Sequence, residues 1–156
     1  MTDSTPAVQA LDRLGIPYRL FEHTRPIESL EQAARERGQE PGQVVRSIVF
    51  RRGEGDYFLV LMAGPGQLSW RKLRARLGVS RISMAAAGEV LAATGYAIGT
   101  VSPFGLPRPL HLLADDSVFL PDEISLGSGQ RGLAILMRSA DLRQALGEIE
   151  IGDFAA

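Results

Sequence analysis

The apolar positions of this chain fall into short runs whose period switches repeatedly between that of a helix and that of a strand. Val8, Leu11 and Leu14 recur at helical spacing behind Thr5 and Pro6, and Gly15 follows as a stop. Ile16, Tyr18 and Leu20 then alternate, as a strand does. Ser29 opens a second helix with Gln32 as capping-box partner, and Gly38 closes it. Residues 44–51 (VVRSIVFR) and 57–63 (YFLVLMA) are dense in β-branched and aromatic residues around a GEGD turn, which predicts a hairpin. Ser69 caps a third helix, with Leu68 and Leu73 placed as a hydrophobic staple and Gly78 as its end. Ile82 and Met84 mark a short strand, and a helix of small residues over 85–94 ends at Gly95.

The second half reads as residues 96–101, a proline-rich loop over 102–109, and strand-like runs at 110–114, 117–120 and 132–137. Ser139 is placed to cap a last helix ending at Gly147, and Ile149 and Ile151 suggest an edge strand. Strands outnumber helices and several join through short turns. The class is therefore α+β, with helices packed on a mixed, largely antiparallel sheet rather than a doubly wound one.

With 156 residues, the expectation is one domain over residues 1–156. Apolar residues at 45% and charged residues at 22% match a soluble globular core. There is no cysteine, which excludes disulfides and thiolate chemistry. No run has the length or apolarity of a membrane span, and the N-terminus has no basic-then-apolar leader, so a cytoplasmic setting is expected. His23 and His111 are the only histidines, too far apart and too poor in nearby acids to suggest a metal, and no cofactor is expected. No G-x-S-x-G elbow accompanies His111, and no P-loop is present.

Charge changes the picture in two places. Sixteen of the 17 basic residues are arginine, leaving Lys72 as the one amine that burial could deprotonate. Residues 57–88 hold no acid but carry Arg71, Lys72, Arg74, Arg76 and Arg81, on a protein of net charge −1. That stretch is either a solvated helix face or an electrostatic footprint for a phosphate backbone.

Two glycine-flanked turns stand out. GSGQRG, residues 127–132, matches G-x-G-x-x-G in letters, but a strand-like run follows it, so the dinucleotide reading lacks its helix. It is either a tight turn or a row of N–H groups facing a small anionic or carbonyl ligand. SPFG, residues 102–105, is stiffened by Pro103, Pro107 and Pro109 and could form a second wall of a pocket.

The segments TPAVQALDRLGIPYRLFEH, PGQVVRSIVFR, GPGQLSWRKLRARLGVSRISMA, TGYAIGTVSPFG and GSGQRGLAILM, in this order and spacing, resemble the YbaK/EbsC family, the prolyl-tRNA synthetase–associated editing domains. The resemblance implies a single mixed, barrel-like sheet core and an aminoacyl-tRNA deacylase without metal. Its substrate would be tRNA for proline carrying a small residue such as cysteine or alanine, and prolyl-tRNA synthetase a possible partner. Carried onto this chain, it implies Arg46, Gly99, Ser102 and Gly129 as catalytic. It implies Phe21, His23, Ser47, Pro103, Phe104, Ser128, Arg131 and Gly132 as substrate contacts. Arg71, Lys72, Arg74 and Arg76 are the tRNA-contact candidates. Two positions depart from the family pattern: its lysine falls on Arg46 and its aspartate on Ala134. An alternative reading follows, a non-catalytic module that binds aminoacyl-tRNA or a synthetase.

Overall fold

The computed structural model describes residues 5–156. Helix α1 (Pro6–Leu14) starts where Thr5 accepts from the Val8 N–H and ends on Gly15 in the left-handed region. It buries Ala7, Val8 and Leu11, as its spacing predicts. Strand β1 (Arg19–Glu22) leads to α2 (Leu30–Glu36), whose cap Ser29 accepts from the Gln32 N–H. The Gln32 side chain accepts from Glu28 N–H rather than closing the expected box on Ser29. A short 3-10 turn, Pro41–Gln43, precedes the hairpin of β2 (Val45–Gly53) and β3 (Asp56–Ala63). Next come α3 (Trp70–Leu77), β4 (Ser83–Met84), α4 (Ala87–Thr94), β5 (His111–Asp115), β6 (Glu123–Gly127), β7 (Leu133–Arg138), α5 (Ser139–Leu146) and β8 (Glu150–Gly152).

The α+β class stands, but the strands divide between two sheets and close no barrel. One sheet has the order β1-β7-β6 and is antiparallel. The other has the order β4-β2-β3-β5-β8, antiparallel through β3 and parallel beyond it. Among the described residues, a parallel bridge from Val44 to Ser125 links them. The seam opens beyond that bridge because loop 99–101 wedges against the end of β6. A Cβ on Gly127 would overlap the Val101 carbonyl, and the Gly129 N–H donates to the Thr100 carbonyl at 2.9 Å. The backbone that could have continued pairing along β2 is thereby turned to the loop.

The main core lies on one face of the larger sheet, where Val45, Val49, Leu59 and Leu61 meet α1, Tyr96, Phe104 and the smaller sheet's Ile124, Leu126 and Ile135. A second cluster on the other face joins Phe50, Phe58, Val60 and Leu113 to Leu73 of α3 and to Phe154, with Leu68 packed on it as the staple requires.

Three expectations change. Residues 117–120 are not a strand: Asp115 accepts from the Ser117 N–H and starts a 3-10 turn, Asp116–Phe119. Strand β6, short and flanked by acids and a glycine, had too little apolar signal to be read. Ser139 is the first residue of α5 rather than its cap, and its hydroxyl donates back to the Pro121 carbonyl.

Gly129 and Gly132 both have positive φ, 92° and 81°, but differ in their surroundings. A Cβ on Gly129 would overlap the Tyr96 ring, whereas one on Gly132 meets open space. Gly132→Ala should cost roughly 1–2 kcal/mol of backbone strain. Gly129→Ala should add roughly 1–3 kcal/mol of overpacking to the same strain. Urea midpoints of the two variants should fall in that order, and equal midpoints would contradict the packing described.

Candidate functional site

Where β2 and β6 part, a cleft of about 890 Å³ opens. Its walls are the start of β2, the loop at Gly99–Val101, the turn through Gln130, Arg131 and Gly132, and the segment from His23 into α2. It wraps the strand edge, so that Arg46 and Ile48 come from one face of β2 and Val45 and Ser47 from the other. Arg25, Arg37, Arg46 and Arg131 line it, and among the described residues no aspartate or glutamate does.

Arg46 Nη2 donates to the Gly66 carbonyl in the loop after β3, and its Nε is buried without a partner. Burial works against the charge and lowers the pKa below the ordinary arginine value. Ser47 Oγ is buried and unpartnered as well. Arg131 is exposed, and its Nη1 lies 3.9 Å from where a Cβ on Gly99 would sit. In the 127–132 turn, the Gly129 N–H is committed to Thr100 and the Gln130 N–H to Ser128 Oγ. The N–H groups of Arg131 and Gly132 have no protein partner among the described residues.

Several expected contacts lie elsewhere. Ser102 is fully buried and its Oγ accepts from the Phe104 N–H, so it braces its own loop rather than lining the cleft. Phe104 is a core residue whose carbonyl accepts from Tyr96 OH at 2.6 Å. Pro103 lines a separate, shallower concavity beside β5 and β8. Ser128 is buried and donates to the Leu133 carbonyl at 2.6 Å, cross-linking the turn. Gly129 packs under Tyr96 outside the cleft wall. Phe21 stands opposite Ala134 on β7, with its ring edge-on to His23 at 4.9 Å.

His23 lines the cleft, but both ring nitrogens are taken. Arg37 Nε lies 3.0 Å from Nε2, and a guanidinium only donates, so Nε2 accepts. Nδ1 then carries the proton and donates to Glu36 Oε1 at 2.8 Å. His23 is therefore a structural link rather than a substrate contact. Glu36 also accepts from Gln32 at 2.8 Å and Arg25 at 2.7 Å. The hydrogen bond from His23, then those from Gln32 and Arg25, lower its pKa to about 2. Neither Arg37 nor Glu36 carried a sequence signal, since each looks like any charge near a helix end.

The basic helix α3 is partly committed. Lys72 bonds Asp153 and the Ala155 carbonyl, both at 2.8 Å. Arg76 reaches Glu150 at 3.6 Å and lies over the Phe154 ring at 5.2 Å. These two hold the C-terminal segment against α3, which removes them from a free cationic face. Arg71 is exposed and Arg74 half-buried, and neither forms an ion pair among the described residues. His111 bonds Arg52 at 3.1 Å and also Glu150, so it ties β8 beside β5.

The fold is thus one of two sheets that part over a cleft lined by four arginines. The aminoacyl-tRNA editing domain model matches residues 24–145, and the chain belongs to that family. It is 31% identical over 108 residues to a proline–tRNA ligase of Trichlorobacter lovleyi, covering 69% of this chain and 19% of the ligase. The chain thus spans about a fifth of the length of that relative. It is 32% identical to the uncharacterized protein YwhH of Bacillus subtilis over 74% of this chain and 73% of that protein. A crystal structure described as a candidate trans-editing enzyme for prolyl tRNA synthetase superimposes with a TM-score of 0.87 at 28% identity, covering 98% of each chain. No helix among the described residues is long and apolar enough to cross a membrane.

Glu36 gives a pH test. Its folded pKa, about 2, lies below the free value of 4.5, so its contribution to stability is present above pH 4.5 and is lost as pH falls towards 2. Urea midpoints of the wild type and Glu36→Gln should differ most near neutrality and converge as pH falls through that window. A constant gap would show that the Glu36 charge is not what stabilises the segment.

Proposed function

We propose that this chain is a trans-acting aminoacyl-tRNA deacylase that hydrolyses the ester of a mischarged tRNA in the cytoplasm. The substrate is tRNA for proline carrying a small residue such as cysteine or alanine, and prolyl-tRNA synthetase is the partner whose errors it corrects. The supporting observation is the cleft itself: four arginines and, among the described residues, no carboxylate in its lining and no protein partner for the N–H groups of Arg131 and Gly132.

An aminoacyl ester is already activated, and the neighbouring ribose hydroxyl assists attack by water. What remains for the protein is to hold the ester, donate hydrogen bonds to the developing oxyanion and admit water. Lys72, the chain's only lysine, lies on α3 and is engaged with Asp153, so no lysine amine serves as base in the cleft. Arg46 acts by charge and hydrogen bonding, with the Arg131 and Gly132 N–H groups as the oxyanion cradle. Apolar walls that exclude one methylene give only about 1–3 kcal/mol, so selection by size is modest. A second reading, a binding module without chemistry, is favoured by Ala134 standing where the family pattern has a carboxylate and by the Gly66 carbonyl already occupying part of Arg46.

Purified protein assayed on Cys-, Ala-, Ser-, Thr- and Pro-charged tRNAs should deacylate one or more of the small-residue esters. Arg46→Ala should slow that step by about 10²–10³, the scale of one lost oxyanion donor, while Arg46→Lys retains activity. No turnover by the wild type, with turnover by the double variant Arg46→Lys, Ala134→Asp, would establish the binding module instead.

The free cations of α3 give a separate test. Arg71→Glu with Arg74→Glu should weaken binding of all tRNAs alike. It should also flatten the salt dependence by up to about one unit of slope per lost phosphate contact, with hydrolysis of a minimal aminoacyl ester unchanged. Unaltered tRNA affinity would return this face to plain solvent exposure.

A further inference from the structure

Arg37 is the cation of the cleft that the fold holds by two side-chain hydrogen bonds, and neither of them goes to a carboxylate. It caps the C-terminal end of α2, half-buried. Nε donates to His23 Nε2 at 3.0 Å and Nη1 to Ser125 Oγ at 2.9 Å. Both acceptors are uncharged. A guanidinium has five N–H groups in a planar fork, and the two on Nη2 have no protein partner among the described residues, although Nη2 is not sealed from solvent.

Glu36, next in sequence, does not bridge to it: its carboxylate is used by His23, Gln32 and Arg25. Desolvation lowers the Arg37 pKa to about 10, with the charge of Glu36 opposing that shift. A partly buried cation without a carboxylate is costly unless something of opposite charge completes it. Arg46 and Arg131 also line the cleft with no ion-pair partner among the described residues, whereas Arg25 is paired with Glu36.

The geometry points to Arg37 as the phosphate-binding residue of the cleft, its free Nη2 edge receiving the phosphate of the terminal nucleotide while the ester lies towards Arg46. This deepens the deacylase reading and rests on it. Three features select a nucleotide phosphate. Planar guanidinium N–H pairs match a phosphate's oxygens, and the charge is permanent. The cleft, at about 890 Å³, also has room for a nucleoside beside a small aminoacyl group. The Glu36–His23 link keeps the fork from rotating: Glu36 fixes the imidazole tautomer, and the imidazole fixes Nε.

The probes are adenosine 5′-monophosphate, adenosine, inorganic phosphate and acetate, titrated calorimetrically into the full-length protein at low salt. The monophosphate should bind wild type about tenfold or more tighter than adenosine, the scale of a charge-assisted pair. Arg37→Gln should erase most of that ratio while leaving adenosine affinity unchanged, which also reports that the cleft is still folded. Arg37→Lys should restore only part of it, because an ammonium cannot hold His23 and Ser125 and present a flat edge together. On wild type alone, inorganic phosphate should compete with the monophosphate and acetate should not.

Equal binding of the monophosphate and adenosine, or an unchanged ratio in Arg37→Gln, would overturn the assignment. Inorganic phosphate binding as tightly as the monophosphate would overturn its nucleotide part, and competition by acetate would make the site a general anion receptor. None of these outcomes depends on turnover. Loss of deacylation with the monophosphate ratio intact would count against the deacylase reading, and the reverse result against Arg37.

Discussion

The site depends on one backbone contact between two turns. The Thr100 carbonyl takes the Gly129 N–H, and Gly127 lies so close to the Val101 carbonyl that no side chain fits between them. Strand β6 has begun to pair with the approach to β2, at Ser125 and Val44, and would otherwise extend that ladder. Buried backbone groups must be paired somewhere, and here loop 99–101 supplies the partner in place of β2. The sheets therefore diverge, the N–H groups of Arg131 and Gly132 are left at the rim, and the space between becomes the cleft. Tyr96 supports the contact from beneath, its ring under Gly129 and its hydroxyl on the Phe104 carbonyl. Burial pushes that hydroxyl's pKa up to about 12, so it remains a donor throughout the range in which the protein works.

On the opposite wall the organising device is a chain of hydrogen bonds rather than packing. Gln32, on the first turn of α2, accepts from Glu28 N–H, donates to the Pro26 carbonyl and donates to Glu36. A loop between a strand and a helix is thus stapled by a single amide. Each link sets the polarity of the next, because arginine only donates and a carboxylate only accepts, leaving histidine one arrangement between them. Such networks are worth holding only when fully satisfied. Here the chain of bonds ends at Arg37, which lines the cleft.

Local elements were legible where a cap, a period and a stop agreed. α1 between Thr5 and Gly15 and α3 between Ser69 and Gly78 each had all three, and the 45–63 hairpin had dense β-branched and aromatic runs on either side of its turn. β6 had only Ile124 and Leu126 in alternation: five residues with one acid and a terminal glycine look like loop until β7 pairs with them. The site was legible at the level of segments and less so of atoms. Motif resemblance led to Gly99, Arg131 and Gly132, which do line the cleft. It could not separate them from Ser102, Phe104 and Ser128, which share those motifs and are buried bracing residues. A motif shows which residues travel together; which of them face the ligand is decided by packing across the chain, as Tyr96 decides it for Gly129. Arg37 was invisible because its meaning comes from His23, 14 positions away, and Ser125, 88 away.

The two departures from the family pattern are better understood through charge than one by one. With a cation at 46 and no carboxylate at 134, a bare replacement would leave Arg46 unpaired; instead its guanidinium donates to a carbonyl, a weaker acceptor that demands no countercharge. Ala134, buried opposite Phe21, closes an apolar patch where a carboxylate would need a partner of its own. Glu36 is set behind His23, its carboxylate held by His23, Gln32 and Arg25. Among the described residues the cleft lining thereby carries arginines and no carboxylate, which under the proposed function favours an anionic chain end. Under the proposed function, acceleration of ester cleavage comes from fixed donors and charge, because both ring nitrogens of His23 in the cleft wall are already bonded, to Glu36 and to Arg37.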